Sequence, residues 1–357
     1  MTTAIVGVQR NDTGAPDVER DAMEYVLHAI RGARAIVFER ADNAKLWDIH
    51  GKEYLDTMSG SAGPAMVGHA NPHVAAAVSK QMARLPSHNL RHDSVPVVEY
   101  CKRLAQIAPA GLSKSFLCPG GGDAIEAAVK FAIRVTGRPQ VLSLVGAYHG
   151  MSFGALALGG MPALRSWFPP DMRWPNFRQV ASADCYRPQL GDGSADDWRL
   201  AARALENDLS TQGAGKVAAL IMELVQGPNG HAVFPQDYYA EVQSVCRKRG
   251  VLLIVDEIQT GLGRCGALWA CDHYRVQPDI LVAGKALGGG VPIGVFITRK
   301  DLIPVGMESE PWHYVTFMNQ PLAASAGLAV LDVVKNEKLV ERARQLGEQA
   351  TLRFREM

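Results

Sequence analysis

Apolar positions along the chain fall into two rhythms. Continuous β-branched and leucine-rich runs occupy 217–223, 251–255, 280–283 and 293–298, with shorter ones at 115–117 and 140–145. Runs of this length without polar alternation are expected of strands covered on both faces, as in a parallel sheet between helices. Spaced among them are stretches with a period near 3.6: 18–30 behind Asp17, a helix to about Leu85 opened by Asn71-Pro72, 97–107, 124–135, a helix to about Leu209 behind Asp196-Asp197, 321–335 and 339–354. An Asp or Asn before the first apolar position, or a proline within the first turn, marks a helix start. Three short segments, 35–39, 45–49 and 53–55, are joined by Asp42-Asn43 and His50-Gly51 and predict a small antiparallel meander. Residues 1–16 predict a loose arm. Residues 160–195, with Trp167, Pro169, Pro170, Trp174, Pro175 and Pro188, predict a long irregular surface facing substrate or a second subunit.

Two of the buried runs end on chemistry. The run from Val251 stops at Asp256, and the run from Ile280 delivers Lys285 between Gly284 and Gly288-Gly289-Gly290. Ligands of open α/β sheets bind at that edge. A lysine in crowded, partly dehydrated surroundings suits an amine that must be neutral to attack a carbonyl. A surface lysine and a helix-capping aspartate remain open at this point. Elsewhere, the run Gly120-Gly121-Gly122 lies between a strand and a helix, where free N–H groups meet the positive end of the helix dipole. It reads as a phosphate cradle or as an ordinary tight turn. Tyr148, at a strand tip among glycines, offers a face for a flat ring or forms the rim of the core. Glu223 is either a site carboxylate or a helix cap. Met58–Gly68, rich in glycine and small residues, reads as an active-site loop rather than core.

Bulk numbers narrow the class. At 357 residues and 47% hydrophobic the chain can bury a large core. Its 37 basic and 36 acidic residues leave a formal charge of +1 without any block of one sign, so neither nucleic acid nor an anionic membrane is indicated as partner. The six cysteines lack metal or CxxC spacing, which points to a reducing compartment. His69, His73, His88 and His92 fit no common ligand set, so no metal is expected. The first residues lack the pattern of a leader and no long apolar run occurs, so a cytoplasmic protein is the expectation.

The segments DEIQTGLGR and PDILVAGKALGGGVPIG, in that order, resemble the class III aminotransferases, pyridoxal-phosphate enzymes of fold type I. PGGGDAIEAAVK, the Tyr148-His149-Gly150 tip and YVTFMNQPL extend the resemblance, which runs from about Leu46 to Leu346 and is strongest over 116–151 and 251–322. It implies a mostly parallel seven-stranded sheet sandwiched by helices. It implies an N-terminal arm, helix and meander over 1–62, a large cofactor domain over 63–330, and the truncated start of a C-terminal small domain over 331–357. Lys285 would form the internal aldimine, Asp256 would face the pyridine nitrogen, Tyr148 would stack on the ring beside its family companion His149, and Ile258 would pack on a ring face. Gln259 would lie near the ring hydroxyl, with Glu223 close by. Gly121 and Gly122 would bind the phosphate, which Thr316 of a neighbouring subunit would also reach, making a homodimer necessary. Ser59, Gly60 and Ala62 would line the substrate end.

The implied reaction is a ping-pong amino transfer from an amino acid or amine to a 2-oxo acid. An amino-acid racemase or epimerase and a decarboxylating transaminase share every residue named, and a non-catalytic dimeric scaffold is a more remote reading. Some positions depart from the family. Pro119 and Gly120 replace polar residues and Asp123 replaces Glu, a form reminiscent of the diaminobutyrate transaminases. Leu224 stands where proline is usual, and the arginine that commonly holds the substrate carboxylate has no counterpart in these residues.

Overall fold

The computed structural model describes residues 17–29, 36–89, 91–169, 176–211 and 215–357. They belong to two compact units that part between Thr57 and Met58. In the first, the helix Val18–Tyr25 begins where Asp17 accepts the Arg20 N–H at 3.0 Å. It stops at Tyr25 although the apolar rhythm runs on, and Met23, Val26 and Leu27 are exposed. A helix this short gains little from propensity alone, so an unpacked stripe does not extend it. The 1–16 arm, Ile30, Gly32 and Ala35 lie outside the described residues. The meander is present as β1 (Phe38–Asp42), β2 (Lys45–Asp48) and β3 (Glu53–Leu55). Its first strand sits further along than expected, because the reversal is made at Asn43, whose φ of 51° suits a tight hairpin turn.

A seven-stranded sheet organises the second unit. The buried runs and their neighbours give β4 (Leu112–Cys118), β5 (Gln140–Leu144), β6 (Phe177–Val180), β7 (Val217–Glu223), β10 (Leu252–Asp256), β11 (Ile280–Gly284) and β12 (Gly294–Arg299). A separate ribbon pairs β8 (Val225–Gln226) with β9 (Ala232–Val233). The sheet order is β4-β12-β11-β10-β7-β5-β6, and β12 alone runs antiparallel to both neighbours.

Alternation along each strand divides the core. Leu252, Ile254, Val282, Ile221 and Phe296 pack against Ala124, Ile125, Ala128 and Phe131 of the helix Gly121–Thr136. Leu253, Val255, Leu281, Leu220 and Val295 belong to the opposite face, with Tyr100, Tyr238, Trp269 and Val330. Asp256 and Glu223 follow the parity of Ile254 and Ile221, so both emerge on the Gly121–Thr136 side.

Several elements differ from expectation. The stretch 160–195 is not wholly irregular: β6 pairs in parallel with β5 at the sheet edge, and Pro162–Arg165 forms a helical turn. Pro170, Trp174 and Pro175 lie outside the described residues. The helices Phe153–Leu158 and Gln236–Arg249 start without a capping hydrogen bond, Ser152 preceding the first and Pro235 the second. Asp197 precedes the helix Trp198–Ser210 without capping it, and instead accepts the N–H groups of Gly193 and Ser194. Ala65 and Val67, in the small-residue stretch read as loop, are buried core. No helix among the described residues is long and apolar enough to cross a membrane.

Candidate active site

Asp256 and Glu223 are register partners at the carboxyl tips of β10 and β7. Both are buried. His149 Nδ1 lies 2.8 Å from one oxygen of Asp256, and the Ile258 N–H donates to the other at 3.0 Å. Burial opposes a charge on His149, but the hydrogen bond and the charge of Asp256 outweigh it and hold the imidazole above its ordinary value. Glu223 accepts the backbone N–H of Tyr148 at 2.9 Å. Burial pushes its carboxyl up to about 7, and Asp256 adds to the rise against the opposing His149, Tyr148 N–H and Lys285.

Lys285 follows β11 directly, in a 3₁₀ turn that opens the glycine run. Its φ is +43°, a left-handed conformation that costs a non-glycine residue energy and recurs where a side chain is held for function. Burial lowers its pKa, while Asp256 and Glu223 favour the ammonium and limit the drop. A cavity of about 190 Å³ is shared by Lys285, Asp256, Glu223, Tyr148, His149 and the Gly121-Gly122 pair. Ile258, Gln259 and Gly150 also line it, as do Val225 and Thr260, which the sequence did not single out.

The glycine run is the first turn of the helix Gly121–Thr136, which starts three residues earlier than the apolar rhythm suggests. No side chain caps that end, so its N–H groups remain free to meet an anion. Close approach requires glycine at 294, where a Cβ would lie 2.1 Å from the Gly120 carbonyl oxygen, whereas a Cβ on Gly121 would meet only the tip of Ile258, Cδ1, at 2.9 Å. The buried hydroxyl of Ser152, 3.4 Å from a Cβ placed on Gly122, has no partner among the described residues, and neither has His149 Nε2. A dipole-backed anion cradle, an amine, a carboxylate backed by histidine and an aromatic ring on one small cavity match the parts of pyridoxal phosphate.

Other sequence candidates lie elsewhere. Ser59, Gly60 and Ala62 belong to a left-handed turn and do not line this cavity; Ser59 Oγ is 3.5 Å from Arg264. A Cβ on Gly63, which follows that turn, would fall 4.0 Å from Lys285 Cδ. Thr316 is exposed on a separate cavity of about 1400 Å³ that also involves His88, Lys114 and Trp312. Sequence reasoning also missed Glu257. It faces away from the cavity and accepts the N–H groups of Ala270 and Cys271 at 3.0 and 2.7 Å and the Thr260 hydroxyl. Nothing in a consecutive Asp-Glu pair says which acid enters the site.

A profile of class-III aminotransferases matches residues 29–357. The chain belongs to the class III aminotransferases. Among similar proteins, the acetylornithine aminotransferase of Archaeoglobus fulgidus is 35% identical over 90% of this chain and 78% of its own length. The putrescine aminotransferase of Pectobacterium atrosepticum is 38% identical over 85% of this chain, which spans 62% of that enzyme. Two solved structures share the architecture. An (S)-enantioselective omega-transaminase from Thermomicrobium roseum has TM-score 0.85 and 30% identity, covering 92% of this chain and 76% of its own. An amine transaminase from an uncultivated Pseudomonas species, in its PLP-bound form, has TM-score 0.85 and 29% identity, covering 91% and 78%. Class III aminotransferases are pyridoxal-phosphate enzymes that move amino groups, and the mostly parallel seven-stranded sheet is their fold type I core.

Proposed function

We propose that this class III aminotransferase moves an amino group from an amino acid or amine to a 2-oxo acid by a ping-pong route, with Lys285 and Asp256 as its principal groups. The observation that carries the reading is their convergence, with His149, on one cavity at the carboxyl edge of β10 and β11. Lys285 would hold the cofactor aldehyde, Asp256 the ring nitrogen, Gly121 and Gly122 the phosphate, and Tyr148 and Ile258 the ring, with Gln259 beside it. Pyridoxal phosphate supplies an aldehyde that takes up amino groups and a ring that accepts the electrons released at the substrate Cα.

The chain's own groups handle the protons. Lys285 Nζ, its pKa lowered first by burial, has a larger neutral fraction than a surface lysine and is suited to take a proton from the substrate Cα and return it. His149 Nδ1 fixes Asp256 from behind, so the carboxylate keeps its orientation toward the cavity. Tyr148, anchored through its backbone N–H, would cover the ring and exclude water.

A homodimer in which Thr316 reaches the neighbouring phosphate is proposed on the exposure of Thr316 away from its own chain's cavity. Residues 331–357 are proposed to open a C-terminal small domain, a reading supported by the helix Leu339–Glu356, which buries none of its residues and exposes Leu346, Leu352 and Phe354. The six free thiols support a cytoplasmic setting. Lys285→Ala tests the central reading: the purified variant should lose the visible absorbance of lysine-bound cofactor and all measurable amino transfer, and an unchanged spectrum sinks it.

A further inference from the structure

Two acids stand side by side at the strand tips, and the roles above give a chemical task to one. Glu223 and Asp256 are register partners on parallel strands, whose backbones run about 4.8 Å apart. Asp256 is supplied on both oxygens, by His149 and by the Ile258 N–H. Glu223 takes the Tyr148 N–H on Oε2, and its carboxyl lines the cavity with Lys285.

We infer that Glu223 is a positioning residue, which pins the Tyr148 backbone at the cavity wall and acts as the proton store of the Asp256–Lys285 pair. The inference rests on the amino-transfer reading of the same cavity. Groups from every neighbouring element face Glu223: Asp256 from β10, Tyr148 and His149 from the segment after β5, and Lys285 after β11. Burial, then the charge of Asp256, brings the carboxyl up to about 7, so a single proton spares the cavity from holding two bare carboxylates. When that proton leaves, the new negative charge favours the ammonium of Lys285, whose pKa Glu223 raises. Loss of a proton at one group therefore promotes its uptake at the other.

The test compares wild type with Glu223→Gln and Glu223→Ala, full chain freed of cofactor, by thermal unfolding from about pH 5 to about pH 9. A carboxyl raised from 4.5 to about 7 keeps a proton in the native state that the unfolded chain has already lost. Stability relative to the Gln variant must therefore fall as pH rises through that window and level off above it. The expected result is that Glu223→Gln gains roughly 3 °C or more over wild type between pH 5 and pH 8; parallel curves would overturn the proton store. Infrared difference spectra of wild type alone should show a protonated carboxyl that titrates near pH 7, and its absence is equally fatal.

For positioning, Glu223→Gln keeps an oxygen for the Tyr148 N–H and should bind pyridoxal phosphate within about threefold of wild type, while Glu223→Ala weakens binding about tenfold. Equal weakening by both overturns that half. Retained absorbance in Lys285→Ala would sink the amino-transfer reading instead, and leave the unfolding comparison standing.

Discussion

At the end of β10 the chain sets two carboxylates back to back, one at the cavity and one behind it. Asp256 turns to the cavity, where His149 and one backbone N–H hold it. Glu257 turns away, to the start of the helix Ala270–Tyr274, where two N–H groups and the Thr260 hydroxyl converge on it. Both are almost wholly buried. Burial raises the pKa of Glu257, with its three donors working against the rise. The two differ in what they face, not in functional group or depth. Glu257 meets only donors of the fold and serves stability, whereas Asp256, although both its oxygens are also supplied, lines the cavity and is available to chemistry.

Substitutions on either side should separate these roles. Asp256→Ala should lower the amino-transfer rate by roughly three orders of magnitude, about 4 kcal/mol in the barrier, with a smaller change in denaturant midpoint than Glu257→Ala. Steady-state kinetics and urea unfolding on one preparation measure both, and near-normal turnover would break the contrast. Glu257→Ala should instead cost about 3 kcal/mol of stability, because it strands three buried donors. Its folded fraction at low temperature should still show the cofactor spectrum; loss of the spectrum without loss of stability would reverse the assignment. Thr260→Val removes one donor from Glu257 and should cost about 1 kcal/mol with turnover within about threefold of wild type. A larger kinetic effect would mean that Thr260, which also lines the cavity, serves the reaction.

Much of the sheet was legible because its strands are buried on both faces. Val217–Glu223 begins and ends where the apolar run does, and β10, β11 and β12 are displaced by a residue at most. The edge strand β6 was not, since FRQV is only partly buried and carries no such run. The Val18 helix was overdrawn for the opposite reason: periodicity was present and packing was not. Lys285 was legible through its glycine-rich setting, although the left-handed backbone that presents it was visible only in three dimensions.

What the sequence determined by itself was the set of strand tips and the chemistry written on them: an acid closing one buried run, an amine following the next, and glycines where a helix must start against a ligand. Local rules suffice there, because burial on both faces and close backbone approach constrain residue type position by position. Tertiary structure alone decided which strands lie side by side. It placed Glu223 next to Asp256 and His149 behind it, and sent Glu257 to the opposite side. Those placements depend on pairing between segments up to 107 residues apart, and no local pattern encodes the register that brings them together.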